Sequence, residues 1–394
     1  LGKIEKIFNE LNPDLVVNFI CVTLFDYLVY LFAKSRGVRF LNLRSTRIFD
    51  KIALYSTIND PSPELEDIYL KLYKQNESSF HNDAKKYLST VREKYCIYEG
   101  CIKSEGKPIL RNQKIDFNYL KKGFKKLIQL LPSNSVTLIK DNSVPHPLRR
   151  FYNNRFKTPL RAKKCEIYLK KIYLDENQLK NTNYAFFPLH TEPECSLLVY
   201  GRPFLNQIEL IRMIALNLPV DMVLLIKEHP WMVGKRSLSA YKKILNIPRV
   251  KIVNPAINSR ILVKESSLVT VITGTIALEA VILGKPVITF GDIPYNVLPY
   301  KMIQRCTDLR HLNSMIRNIL QTYEIDLKAL EAYVCAVFET SISANLYSVL
   351  LNKEDVHFEN KSDFKDEIKN IANYLKKLLK KDPLKVKSNQ KIIW

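Results

Sequence analysis

Apolar and polar positions along this chain fall into blocks of two kinds, one with the 3.6-residue period of a helix and one with the short apolar runs of buried strands. Leu1 to Leu11 puts Ile4, Ile7, Phe8 and Leu11 on one helical face, and Asn12-Pro13-Asp14 is a turn. Leu15 to Ile20 reads as a buried strand, Phe25 to Ser35 as a helix ending at Gly37, and Val38 to Leu43 as the next strand. Helix, strand, helix, strand with short connections predicts a parallel α/β unit.

From Asn183 the alternation becomes regular. Tyr184–Phe187, Met222–Ile226, Val250–Val253, Leu268–Ile272 and Pro286–Phe290 read as strands. Between them lie helices, one capped by Asn206 with Ile208, Ile211, Ala215 and Leu218 on one face. Others are Leu238–Leu245, Arg260–Glu265 after Asn258 or Ser259, and Ile276–Leu283. This is the pattern of a doubly wound, Rossmann-like sheet. Longer helical patterns follow at Leu309–Tyr323 and Leu327–Leu351.

Residues 61–182 differ, being rich in Lys, Tyr and Asn, with helical patches at Asn82–Tyr95 and Phe117–Leu131. A basic tract runs from Pro145 to Lys164. The expected division is an N-terminal α/β domain at 1–182 with a helical insertion at 61–182. A second α/β domain follows at 183–352, then a basic helical tail at 353–394. In the tail, Phe364, Ile368, Ile371, Leu375, Leu378 and Leu379 form an apolar stripe flanked by lysines. Such a helix either lies on an anionic membrane or closes the fold and shows its lysines to water.

At 394 residues the chain is long enough for two cores. Its 61 Lys and Arg against 39 Asp and Glu give a net charge of +22. That excess suggests an anionic partner such as a nucleic acid, an acidic leaflet or a phosphorylated substrate; lysine-rich background composition is the alternative. The seven cysteines, Cys21, Cys96, Cys101, Cys165, Cys195, Cys306 and Cys335, show no CxxC spacing. They suggest no disulfide framework or zinc site and fit a reducing, cytosolic compartment. No signal peptide is visible, and the absence of a starting methionine suggests a fragment or a trimmed chain. The apolar stretch Val16 to Ala33 contains Asn18 and Asp26 and reads better as strand plus helix than as a membrane span.

Ligands of an open α/β sheet bind at the carboxyl ends of its strands, and three such ends here carry chemistry. Lys227-Glu228-His229-Pro230 follows one strand, where Lys227 and His229 suit a phosphate and Pro230 fixes the turn; an ordinary surface turn is the alternative. Thr273-Gly274-Thr275 opens a helix, whose free N–H groups attract anions, and Glu279 one turn on could reach ribose hydroxyls. The bland reading is a plain helix cap with an exposed Glu. The third is Pro188-Leu189-His190-Thr191-Glu192-Pro193-Glu194, in which His190, Glu192 and Glu194 are candidates for nucleoside binding or acid–base work, or a simple capping loop. No HExxH, DxD-like, Walker, GxGxxG or GxSxG pattern occurs, so no metal site is expected and ATPase or simple dehydrogenase readings are poor.

Tyr184-Ala-Phe-Phe-Pro-Leu-His-Thr-Glu-Pro-Glu194, Lys227-Glu-His-Pro230, Thr273-Gly-Thr275 with Glu279-Ala280, and Gly284-Lys-Pro-Val287 together resemble the capsular polysaccharide biosynthesis family, which includes capsule Kdo transferases. The match covers about 184–300, with a weaker echo at Leu11–Leu43. The resemblance implies a GT-B-like fold of two Rossmann-like domains. The first domain would face the acceptor, and the second would hold a nucleotide sugar through Glu194, Lys227, His229, Pro230, Thr273, Gly274, Thr275 and Glu279. The family's Gln-Pro-Glu and His-Pro motifs serve a CMP-sugar. His229-Pro230 matches the second and Pro193-Glu194 the first, with Glu192 standing where the family often has Gln. That departure leaves the exact donor and the base open. The resemblance also implies a first strand and an early acidic loop, a source of the base, that are expected to be missing before Leu1. The implied alternatives are a fragment or a protein without activity.

The expectation is therefore a glycosyltransferase, inverting and metal-independent, moving a sugar such as Kdo from CMP-Kdo to a glycan or glycolipid acceptor. No cofactor is expected beyond the donor. The expected setting is cytoplasmic, at or near the inner face of a membrane. The rival readings are a sugar-nucleotide 2-epimerase, an inactive scaffold and a nucleic-acid-binding protein. No aromatic-basic RNA motif supports the last.

Overall fold

Two β-sheets organise the chain. The computed structural model describes residues 2–75, 77–94, 98–99, 152–180, 182–194, 196–229, 232–350 and 364–381. The sequence readings at Phe117–Leu131, Pro230, Cys96, Cys101 and Cys195 lie outside the described residues.

The chain opens with α1 (Gly2–Leu11), β1 (Leu15–Phe19), α2 (Leu24–Ser35) and β2 (Arg39–Ser45). Helix α2 begins at a capping box, in which the Thr23 side chain and the Asp26 carboxylate each take the other's backbone N–H. β1 and β2 pair in parallel, as expected, with Asn18 opposite Asn42. The first sheet is nevertheless mixed. β3 (Lys51–Tyr55) returns antiparallel to β2, and β10 (Ile342–Ser343) adds antiparallel to β3. The order is β1-β2-β3-β10.

The second sheet has six strands, all parallel: β4 (Tyr184–Pro188), β5 (Val223–Lys227), β6 (Val250–Val253), β7 (Leu268–Val271), β8 (Val287–Thr289) and β9 (Ile303–Arg305). Their order is β6-β5-β4-β7-β8-β9. The chain thus builds outward from β4 in one direction, then crosses back and builds outward in the other, the doubly wound arrangement of a dinucleotide fold. Near-continuous apolar strands such as Val223-Leu-Leu-Ile226 follow from burial on both faces.

One face of this sheet carries α5 (Thr158–Lys170), α6 (Gln207–Asn217), α7 (Leu238–Leu245) and α10 (Leu312–Thr322), with Cys165, Ile211, Tyr241 and Ile316 in a common core. The other carries α8 (Ser259–Glu265), α9 (Thr275–Ile282) and α11 (Leu327–Glu339), with Val263, Leu278 and Tyr333 buried. Asn206, Ser237, Asn258 and Asp326 cap helices through their side chains, the first and third at positions legible in the sequence.

Several expectations change. The helices inside the supposed insertion, α3 (Pro63–Gln75) and α4 (His81–Glu93), do not stand apart. Tyr69, Leu72, Tyr87 and Val91 share the core of α11 and the second sheet. The boundary expected at 182 also cuts through packed structure, because Cys165 and Leu169 of α5 belong to the second sheet's core. The helix expected over Leu327–Leu351 stops at Glu339, where Thr340 turns its hydroxyl back on the Ala336 carbonyl. The chain then crosses to cover the open edge of β3 as β10. The tail helix α12 (Phe364–Lys381) is a closing helix: Ile371, Leu375, Leu378 and Leu379 pack against Leu41, Leu43 and Leu54 of the first sheet, while Phe364 and Ile368 remain exposed. Its apolar stripe is largely consumed by the fold. Among the described residues no helix is long and apolar enough to cross a membrane. Val16–Ala33 resolves into β1 and α2, as expected.

A buried ion pair ties β2 to the segment after β3. Both terminal nitrogens of Arg44 reach the Asp60 carboxylate, one at 2.9 Å, and the guanidinium covers the Tyr55 ring at 4.8 Å.

Candidate functional site

The strand order of the second sheet reverses between β4 and β7. At such a point the loops leaving adjacent strands diverge to opposite faces and leave a crevice. The loop after β4 begins at Leu189 and carries His190, Thr191, Glu192 and Glu194; the loop after β7 carries Thr273 and Gly274. The two meet. His190 Nε2 lies 2.5 Å from the Thr273 carbonyl oxygen and 3.2 Å from the Thr273 nitrogen. Burial lowers the His190 pKa below its ordinary value, with the Thr273 carbonyl, Glu194 and Glu192 working against it. The His190 ring thus straps the two loops together.

Gly274 is the N-cap of α9 and has φ +120° and ψ 165°, a region essentially reserved for glycine. It has no side chain to close the helix start, so no side-chain cap occupies the N–H groups there. Thr275 and Ile276 are half-buried and Gly274 is exposed. Tyr295 fixes this turn from behind, its hydroxyl donating to the Gly274 carbonyl at 2.5 Å. Gly291, after β8, packs so closely that a Cβ there would fall 2.5 Å from Thr273 Cγ2. The result is a rigid, positively polarised helix end facing the crevice.

On the β5 side, His229 is half-buried, and burial lowers its pKa while Glu194 opposes the shift. Glu194 is half-buried and accepts from the Thr191 hydroxyl at 2.5 Å. Lys227 turns toward α8, its ammonium donating to Ser259 Oγ at 2.7 Å, and burial brings its pKa down to about 8. Glu279 is tied to Arg260 at 3.0 Å, and Arg260 also donates to the Arg92 carbonyl. Burial raises the Glu279 pKa, with Arg260 opposing. One Glu279 oxygen is thus committed to holding α8 and α9 together. Glu192 is held by Gln207 and, at 3.1 Å, by Arg236.

The sequence reading missed the polar network beneath these loops. Glu228 is completely buried, and its carboxylate accepts from the His229 nitrogen, Arg236 Nε and the Tyr241 hydroxyl. Gln207 is also buried and bonds both the nitrogen and the carbonyl of His190. In the sequence Arg236 sits in Lys235-Arg236-Ser237, which looks like a solvated turn; only the fold brings it under β5.

Cavities of about 580 and 690 Å³ open elsewhere, against the first sheet. One lies between α3 and α12 beside Tyr374, the other beside Tyr30 and Arg39. Neither touches the crevice. Among the described residues no cluster of three or more His, Cys, Asp or Glu is placed to hold a metal ion, and Cys21, Cys165, Cys306 and Cys335 are buried free thiols.

Residues 146–321, the segment containing every strand-end loop described above, match the family model for capsule polysaccharide biosynthesis proteins. A stretch of 91 residues is 38% identical to protein FixF of Sinorhizobium fredii (strain NBRC 101917 / NGR234), covering 23% of this chain and 21% of that protein. Among solved structures, the beta Kdo 2,7 transferase of Thermosulfurimonas dismutans KpsC aligns over 95% of this chain and 89% of its own, at 12% identity and a TM-score of 0.44. The beta Kdo 2,4 transferase of the same KpsC aligns over 82% and 78%, at 12% identity and a TM-score of 0.43.

Proposed function

We propose that this chain, a member of the capsule polysaccharide biosynthesis family over residues 146–321, is a glycosyltransferase that holds a nucleotide sugar in the crevice between β4 and β7. One observation carries this reading: the open start of α9 at Gly274 and the half-buried His229 and Glu194 stand on the same strand-end edge as the strand-order reversal. That edge is where doubly wound sheets take nucleotides.

In this reading the nucleotide phosphate sits at the N–H groups of Thr275 and Ile276, and His229 donates to it. Lys227, which is charged below about pH 8, adds long-range attraction. Glu194 and the second oxygen of Glu279 face the nucleoside. An acceptor hydroxyl gives its proton to a carboxylate, and its oxygen attacks the anomeric carbon as the bond to the nucleotide breaks. The leaving phosphate charge is balanced by fixed protein donors, which need no reorganisation during the step. The acceptor is a glycan or glycolipid approaching from the first sheet, and the reaction inverts the anomeric centre without a divalent metal. CMP-Kdo is the first donor to try, because His229 stands in the family's His-Pro motif.

Incubating the protein with CMP-Kdo, UDP-sugars and GDP-sugars and following nucleotide release by NMR tests the reading, with and without a chelator. Release that survives the chelator supports it. Conversion of a donor to its epimer without nucleotide release would move the chain to the epimerases.

A further inference from the structure

Beneath the crevice the protein buries a carboxylate against a guanidinium. Glu228 is wholly buried and Arg236 nearly so. Taking such a pair out of water is expensive, and apolar residues of similar volume are often neutral or better for stability. What the pair supplies is direction. Glu228 Oε1 accepts from the backbone N–H of His229 at 2.8 Å. Its Oε2 accepts from Arg236 Nε at 2.7 Å and from the Tyr241 hydroxyl at 2.8 Å. The remaining arms of the guanidinium reach the other loop: Nη1 to Glu192 at 3.1 Å and Nη2 to the His190 carbonyl at 3.0 Å.

We infer that Tyr241 and Arg236 are positioning residues for the nucleotide site, acting through Glu228 on His229 and through Glu192 and His190 on the loop after β4. This rests on the nucleotide-site reading above. The planar fork bonds three partners at fixed angles, which a lysine ammonium on a flexible stem does not reproduce. One rigid group therefore sets the distance between His229 on the β5 side of the crevice and His190 on the switch-point side.

The test is a double-mutant cycle read by calorimetry, well below the melting temperatures, using whichever of CMP, UDP and GDP the wild type binds best. Tyr241→Phe removes one hydroxyl and should weaken binding about five- to tenfold. In a His229→Ala background the same change should cost almost nothing, because the residue it positions is gone. Glu192→Ala is a second, milder probe at a partly exposed side chain; it should weaken binding about threefold or more while the protein stays folded. Arg236→Lys should bind more weakly than wild type, because an ammonium does not reproduce the three bonds of the fork. A Tyr241→Phe protein that melts earlier yet binds normally would reduce the network to a structural one, as would penalties that simply multiply in the double mutant. Normal binding by Glu192→Ala would remove the arm to the β4 loop. A wild type that binds none of the three nucleotides would remove the donor-site reading itself, a result distinct from binding that ignores Tyr241.

Discussion

His190 and Thr273 join the two loops that diverge at the strand-order reversal, with His190 Nε2 2.5 Å from the Thr273 carbonyl and 3.3 Å from the Thr273 hydroxyl. The contact closes the floor of the crevice from both sides. His190→Ala should therefore act on shape before chemistry. Loss of these bonds should lower stability by about 1–3 kcal/mol and weaken nucleotide binding about tenfold. Denaturant unfolding and calorimetry on the same protein check both. Lost turnover with intact nucleotide affinity would instead make His190 an acid–base group.

Gly274 offers a sharper test of the helix start. A Cβ there would meet His190 Nε2 at an ordinary van der Waals distance of 3.8 Å, so steric crowding is not the obstacle. The obstacle is φ +120°. Gly274→Ala should cost about 1–3 kcal/mol of stability and turn the first N–H groups of α9 away from the ligand. A variant as stable as wild type with unchanged nucleotide affinity would contradict the assigned role.

Lys227 makes pH informative, because its folded pKa, about 8, lies below its ordinary 10.5. Between these values the unfolded chain binds a proton that the folded one does not. Its contribution to stability therefore rises as pH rises from about 8 toward 10.5. Nucleotide affinity should move the other way, falling as pH passes 8 and the ammonium loses its charge. Both slopes are to be taken as differences between wild type and Lys227→Met, in thermal melts and titrations from pH 7 to 10. Identical affinity profiles for the two proteins would remove Lys227 from the site.

The tail helix separates buried from exposed members of its stripe. Leu375, 7% exposed, packs on the first sheet, whereas Ile368 is 48% exposed. Leu375→Ala should cost about 2–5 kcal/mol, and Ile368→Ala should stay within about 0.5 kcal/mol. Comparable effects in urea unfolding would mean that α12 is not seated as described.

The second sheet was largely legible because buried parallel strands and capped helices leave local signals. Met222–Ile226, Asn206 and Asn258 show them within a few residues. The loops that line the crevice were legible to the same extent, since strand ends are local and their polar residues stand out. Long-range pairing was not. Ile342-Ser343 becomes a strand only because β3 has an open edge some 290 residues earlier in the chain. The fate of the tail stripe depended on whether the first sheet had an uncovered face, which no window on residues 364–381 contains. The link from Arg236 to Glu228 was not legible for a related reason: only the fold brings Arg236 and Tyr241 onto the Glu228 carboxylate.

Calorimetric titration of CMP, UDP and GDP into wild type and His229→Ala shows whether the crevice beside His229 holds a nucleotide. Wild type should bind at least one nucleotide one to one, and His229→Ala should bind it about tenfold or more weakly. A folded wild type that binds none of them, or a His229→Ala protein that binds as tightly, would contradict the nucleotide-site reading.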